Sequence, residues 1–221
     1  MLVGKRRLLS TFGGLAMLAG CVIGARKVEI PDGDGPRVML LSCAMPEPIT
    51  HIARHAWLAT RKAGQQDWNR FEVGGGSGDP LADSGCGGGG DVRLHSVWSG
   101  KTAANAIECL EQHSEPYKAR VKYMAWPGPN SNTYVDVMLR KCSLRADLPA
   151  TSIGKDYRGL IGASWTSGGT GFQIETPLVG LKLGLTEGIE IHVLAIVIGI
   201  DWWPPAIIIP LGGGRIGFAD W

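Results

Sequence analysis

Residues 126 to 134 read Trp-Pro-Gly-Pro-Asn-Ser-Asn-Thr-Tyr, and no other stretch limits the fold as tightly. Proline fixes φ and donates no backbone hydrogen bond, so Pro127-Gly128-Pro129 must end the element before it. The polar trio Asn130-Ser131-Asn132 then opens a helix-like run from Thr133 to Lys141, with Val135, Met138 and Leu139 on one face. A side chain on the first turn of a helix sits beside unpaired N–H groups and the positive end of the dipole. Such a position suits a nucleophile or an anion, and it suits a plain cap equally well; capping is the commoner use of serine and asparagine there.

Two further residues pair naturally with Ser131. His55 lies in a strand-like run from His51 to Thr60 that also holds Trp57. Asn69 to Val73 alternates polar and apolar, as a half-buried strand does, and carries Glu72. A hairpin with His55 on one arm and Glu72 on the other follows from these runs. Ser131 as nucleophile, His55 as base and Glu72 as the orienting group make one candidate set, with Trp57, Asn130 and Asn132 as substrate-binding candidates. Each has a bland alternative: a capping serine, a satisfied core histidine, a solvated glutamate, a packed tryptophan and turn-forming asparagines.

Other motifs fail on spacing. Ser99-Gly100-Lys101-Thr102 invites a phosphate-loop reading, but the first glycine of that loop falls on His95. His51 and His55 are four apart, yet Ile52 stands where a zincin glutamate belongs. Asp79, Asp83 and Asp91 show no calcium-loop spacing. We expect no metal and no cofactor. Net charge of +2 argues against a nucleic-acid partner.

The chain has 221 residues, 44 % hydrophobic, enough for one sizeable domain. Lys5-Arg6-Arg7, the apolar run Leu8 to Leu18 and the ending Leu18-Ala19-Gly20-Cys21 resemble a bacterial lipobox, in which Cys21 carries the lipid. A secretory signal with a chance cysteine is the alternative. The expected organisation is a signal peptide over 1–20, a linker over 21–36 and one α+β domain over 37–221, with a glycine-rich loop at 74–90. The expected location is the bacterial cell envelope, the protein membrane-anchored on the periplasmic side by its lipid. The remaining cysteines, Cys43, Cys86, Cys109 and Cys142, allow three disulfide connectivities; Cys109 and Cys142 also read as buried small hydrophobes.

The spacing predicts a helix over Lys101 to His113, with Ala103, Ala106, Ile107 and Leu110 on one side, and a strand over Val121 to Trp126. From Gly168 onward, short β-prone runs predict antiparallel strands: Phe172 to Glu175, Leu181 to Leu185, Ile189 to Ile200 and Ala206 to Ile209. In the third, Glu190 and His192 fall on one side. Asp201 to Pro205 reads as a tight connection; contact of Trp202 and Trp203 with a lipid interface is the second reading.

The pair His55 and Trp57, the block PGPNSNTY at 127–134, LPATSIGKDY at 148–157, EGIEIHVL at 187–194 and GRIGF at 214–218 resemble the bacterial family known as domain of unknown function 3750. The resemblance covers roughly residues 38 to 218 and implies an envelope or membrane-associated protein without implying an activity. Asn130-Ser131-Asn132-Thr133-Tyr134 also resembles the helix-opening motif of circularly permuted papain-like proteins, the lecithin retinol acyltransferase-like group, with serine in place of the nucleophilic cysteine. The runs read along the chain give an α+β fold, an antiparallel sheet with two main helices and a β-rich C-terminal portion, for which the second resemblance implies a permuted papain-like architecture. That resemblance also implies either a serine-dependent amide or ester hydrolase or acyltransferase, or a non-catalytic lipoprotein holding a small-molecule or envelope ligand in the same cleft; a scaffold protein is a third possibility.

Overall fold

The computed structural model describes residues 33–74, 79, 82, 86–87, 90–210 and 214–218. Cys21 and Asp83 lie outside the described residues, as do most of the signal and linker positions. The fold is α+β. A four-stranded antiparallel sheet of β1 (Arg37–Ala44), β2 (Arg54–Arg61), β3 (Asn69–Phe71) and β4 (Arg93–Ser99) runs in the order β3-β2-β1-β4. Two helices follow, α1 (Gly100–Arg120) and α2 (Ser131–Lys141). The C-terminal part is a second antiparallel sheet, a seven-stranded meander of β5 (Gly162–Trp165), β6 (Gly171–Glu175), β7 (Val179–Gly184), β8 (Gly188–Val193), β9 (Ile196–Trp202), β10 (Pro205–Ile208) and β11 (Arg215–Gly217).

The first sheet is covered on both faces, which explains the unbroken apolar run of β1. Val38, Leu40, Ala56 and Leu58 pack under α1 and α2, where they meet Leu110, Tyr134 and Met138. Met39, Leu41, Trp57 and Ala59 fill the other side with Cys43 and Cys86. The structure pairs Cys43 with Cys86 and Cys109 with Cys142, the second bond tying α1 to the C-cap of α2. Cys109 and Cys142 are therefore cross-links rather than free buried hydrophobes.

Several expectations are corrected. Residues 121–126 form no strand: Met124 N–H donates to Pro129 O at 2.8 Å, so the segment closes on its own turn, with Tyr123, Met124 and Trp126 exposed. Helix α1 runs past His113 to Arg120 despite Pro116, held there by a Ser114–Tyr134 hydroxyl pair at 2.6 Å and by Tyr117 against the Tyr134 ring. The run from Ile189 to Ile200 is two strands, because Leu194 and Ala195, both at positive φ, make a two-residue turn. β4 was not foreseen; it pairs with the free edge of β1 through a register shift at Leu40/Leu41.

The meander is inverted. Its outward positions are all apolar. Phe172, Leu183, Ile189, Ile200, Ile207 and Ile216 form one cross-strand row, with Trp165 at the β5 edge. Its inward positions carry Gln173, Glu175, Lys182, Glu190 and His192, all buried. Inward glycines make room for these side chains: a Cβ on Gly180 would lie against the carboxylate of Glu175.

Candidate functional site

Strand β3 is short and pairs with only Leu58, Ala59 and Thr60 of β2, which leaves the outer edge of β2 open from Arg54 to Ala56. The Asn132 side chain fills that edge. Its Oδ1 accepts the Ala56 N–H at 2.9 Å, and its Nδ2 donates to Arg54 O at 2.9 Å and to Ile153 O at 3.0 Å. One amide thus replaces a strand and pins the first turn of α2 to β2. Asn130 caps the helix: its Oδ1 accepts the N–H groups of Asn132 and Thr133, and its Nδ2 donates to Ala125 O and Ile153 O. Thr133 Oγ1 completes the capping box by accepting the Asn130 N–H at 3.0 Å, and it donates to Gly154 O at 2.6 Å. Gly154 passes so close to the Asn130 side chain that a Cβ would lie 2.2 Å from Nδ2, and its φ of +87° favours glycine.

This pinning brings three candidates together. Ser131 is the first residue of α2, and its Oγ lies 3.0 Å from His55 Nδ1. His55 Nε2 lies 2.6 Å from Glu72 Oε2. A proton on Nε2 shared with Glu72 leaves the Nδ1 lone pair facing the serine hydroxyl, the tautomer a general base requires. Asn132 and Thr133 give their N–H groups to Asn130, whereas the N–H of Ser131 has no partner among the described residues and is the donor open to an oxyanion.

Glu72 is itself held. Arg70 Nε lies 2.5 Å from Glu72 Oε1, and the guanidinium sits 4.0 Å from the centre of the Trp57 ring. Burial raises the carboxyl of Glu72, but hydrogen bonds from His55 and Arg70, and their charges, outweigh it and hold the group below the ordinary glutamate range. Trp57 is fully buried, with its ring stacked 6.3 Å from that of His55. The structure therefore places Ser131, His55 and Glu72 in one hydrogen-bonded chain. It sets Trp57 beneath them and commits the side-chain amides of Asn130 and Asn132 to backbone partners. Arg70 escaped the sequence reading; its only signal was the i, i+2 spacing to Glu72 on a strand-like run.

The chain is nearly closed to solvent, with Ser131 8 % and His55 5 % exposed. A cleft lined by Pro127, Gly154, Asp156, Tyr157, Glu175 and His192 opens near the α2 cap, but neither Ser131 nor His55 lines it.

A second serine–histidine pair is of a different kind. Ser42 Oγ receives Arg54 Nε at 2.8 Å and lies 2.7 Å from His95 Nε2. Burial, together with the charges of Arg54 and Arg93, pushes the His95 imidazole down to about 3. His95 is thus neutral, and Ser42, fully buried, is held by both neighbours.

The inward face of the meander forms a third cluster. Lys155 Nζ reaches Asp156 at 2.9 Å, and Lys182 Nζ reaches Asp147 at 2.6 Å and Glu190 at 3.0 Å. Asp156, Glu190 and His192 lie close enough to hold a cation. The two ammonium groups already neutralise those carboxylates, and His192 is raised to about 9, so its ring lacks a free lone pair at neutral pH. We read this cluster as an ion network.

Residues 37–157 match the model of the family described as Protein of unknown function (DUF3750), more than half of the chain. The blocks at 187–194 and 214–218 lie beyond that match. No curated protein and no solved structure matches the chain. The chain belongs to the DUF3750 family.

Proposed function

We propose that this member of the DUF3750 family is a serine-dependent hydrolase or acyltransferase acting on ester or amide bonds. The observation that carries the reading is the Ser131–His55–Glu72 chain at the N-terminus of α2, with contacts of 3.0 and 2.6 Å. Ser131 Oγ attacks the acyl carbon while His55 Nδ1 takes its proton. The tetrahedral oxyanion meets the Ser131 N–H and the positive end of the α2 dipole. As the intermediate collapses, His55 returns the proton to the departing alcohol or amine. Water, or an acceptor hydroxyl, then releases the acyl group by the reverse path. A serine hydroxyl is far less acidic than a thiol, so the helix terminus alone does not activate it; the His55–Glu72 pair supplies what is needed.

The test is turnover of activated ester and amide probes. Ser131→Ala and His55→Ala should each lower kcat by at least about a hundredfold. The double variant should be little worse than either, because the two groups act as a unit. Ser131→Cys should gain a thiol that iodoacetamide labels quickly, and His55→Ala in that background should slow the labelling. Undiminished turnover in Ser131→Ala would sink the reading.

One observation favours a non-catalytic alternative. The near closure of Ser131 and His55 also fits a polar post that fixes α2 to β2, in a protein that binds an envelope ligand or acts as a scaffold. Folded Ser131→Cys protein with an unreactive thiol is the result that selects it.

For location, we read the protein as an envelope lipoprotein, on the periplasmic side and lipidated at Cys21. The lipobox-like ending supports this, as do the two disulfides, which fit an oxidising compartment.

A further inference from the structure

We propose that the outward face of the seven-stranded meander is a lipid-docking surface, which seats the protein on a bilayer with its apolar side chains among the acyl chains. This inference stands apart from the chemistry proposed for Ser131. It draws on the membrane-anchor reading only for a tether that brings the face within reach.

The first observation is the inversion itself. Along β8, Ile189, Ile191 and Val193 point outward, while Glu190 and His192 are buried; β9 repeats the outward pattern with Ile196, Ile198 and Ile200. An ordinary half-buried sheet does the opposite. The inner face is already occupied by the network around Lys155, Lys182, Asp156 and Glu190, so the apolar face is not a core surface of this domain. Seven strands about 4.8 Å apart, averaging about five residues at about 3.4 Å each, give a face roughly 30 Å by 17 Å, or roughly 500 Å² before side-chain relief. That lies at the upper end of the range for the largest apolar patch of an ordinary soluble monomer, roughly 300–600 Å².

The second observation selects lipid over a protein partner. Protein interfaces have an apolar centre and a polar rim. Here apolar side chains extend into the rim, beside the polar Thr170, Thr176, Thr186 and Glu187. Beyond the strand ends, the turns carry Leu178 and Leu194 at one end, and Leu185 and Trp203 at the other; Leu185 is 82 % and Trp203 76 % exposed. A second sheet packed face to face would leave those tips in water. Trp202 and Trp203 sit together at one end of the strands, the amphipathic arrangement favoured at a membrane–water boundary. No polar side chain stands at an outward position of β6 to β10 to set the register of a protein partner.

The third observation fixes the mode of contact. The strands have four to seven residues apart from β11, which has three, whereas spanning a bilayer with strands takes about nine to eleven. Among the described residues the sheet is also open at β5 and β11. Open edges are not tolerated inside hydrocarbon, so the sheet lies on the bilayer rather than crossing it. Among the described residues, no helix is long and apolar enough to cross a membrane. Eleven residues lie between Cys21 and Gly33, a tether of up to about 40 Å when extended.

The test uses the full chain reconstituted on vesicles of phosphatidylethanolamine and phosphatidylglycerol, with plain or mid-chain brominated acyl groups. Bromine quenches tryptophan only when the indole is among the acyl chains. Wild-type protein should lose emission on brominated vesicles. Trp165→Phe with Trp202→Phe and Trp203→Phe should remove most of that loss, since Trp57, Trp68, Trp98, Trp126 and Trp221 remain. Ile191→Lys with Ile198→Lys, two cross-strand neighbours 55 % and 56 % exposed, should also remove it while urea unfolding stays cooperative. Quenching that survives both sets of substitutions overturns the proposal. So does a wild-type protein that shows no quenching and sediments as a dimer that the two lysines split, which would give the face to a second copy. Acyl labelling of Cys21, absent in the Cys21→Ser variant, reports on the anchor alone, so failure of the anchor and failure of the face are read separately.

Discussion

The pH dependence of stability tests the inverted sheet directly, through His192. Its Nε2 lies 3.2 Å from Glu190 Oε2, its Nδ1 2.7 Å from Glu175 Oε1 off the hydrogen-bonding axis, and Asp156 is 3.9 Å away. Burial alone would strip the imidazolium proton. The charge of Asp156, the close carboxylate of Glu175 and the hydrogen bond to Glu190 outweigh it, even against Lys155, and raise the group to about 9. A histidine whose folded value exceeds its unfolded one binds its proton more tightly when folded. Its contribution is complete below about pH 6.5 and is lost as pH rises toward about 9. A displacement from 6.5 to about 9 corresponds to about 3 kcal/mol of unfolding free energy, taken as an upper value.

Neighbouring groups titrate elsewhere. Asp147, Asp156 and Glu190 are held below the ordinary carboxylate range by Lys155 and Lys182 against the opposing effect of burial, so their contribution is lost only under acid conditions. Lys155 and Lys182 are raised, burial again opposing, by Asp147 and the surrounding carboxylates, so theirs is lost only in strong alkali. The interval from pH 6.5 to 9 therefore isolates His192 within this cluster. Urea unfolding across it should show wild-type stability falling by up to about 3 kcal/mol with an unchanged m value. His192→Gln should be less stable than wild type at pH 6 and nearly flat over the same interval. A flat wild-type curve, or the same slope in His192→Gln, would refute the assignment of the buried proton.

Two further outcomes follow from contacts already described. Asn132→Ala removes two buried hydrogen bonds to the β2 edge and a part-buried one to Ile153 O, and should cost about 3 kcal/mol, seen as a lower urea midpoint; an unchanged midpoint would return Asn132 to a ligand-binding role. Cys21→Ser should abolish acyl labelling and release mature protein from membranes, and unchanged labelling would end the lipoprotein reading.

Much of this architecture was legible because it depends on local pattern. The prolines at 127 and 129, and the capping residues behind them, mark the start of α2 within two residues. The β2–β3 hairpin was visible in alternation and length. The split of residues 189–200 was not, because a turn with both residues at positive φ normally advertises itself with asparagine or glycine, and here it is built from Leu194 and Ala195. The loss of the expected strand at 121–126 had no local signal either: nothing in Val121 to Trp126 reveals that Met124 N–H bonds to Pro129 O rather than to a neighbouring strand. Alternation in β8 showed that Glu190 and His192 share a side. It did not show which side is buried, since that depends on Lys155 and Asp156, more than thirty positions upstream.

The candidate site and the inverted sheet meet in one short segment. Asn130 and Asn132 both donate to Ile153 O, and Thr133 donates to Gly154 O. The next two residues, Lys155 and Asp156, enter the ion network beneath the meander. The first turn of α2 is thus clamped between the edge of β2 on one side and residues 153–156 on the other. Ser131 stands on that turn. Its 3.0 Å approach to His55 therefore depends on the pinning of α2 to β2, and one of the two pins shares a backbone segment with the charges that invert the sheet. Gly154 is the position where this coupling is tightest, because any side chain there would strike Asn130, the residue that caps α2. A sheet that turns its polar face inward supplies the buried charges that fix residues 155 and 156, and those residues hold in place the backbone against which the nucleophile's helix begins.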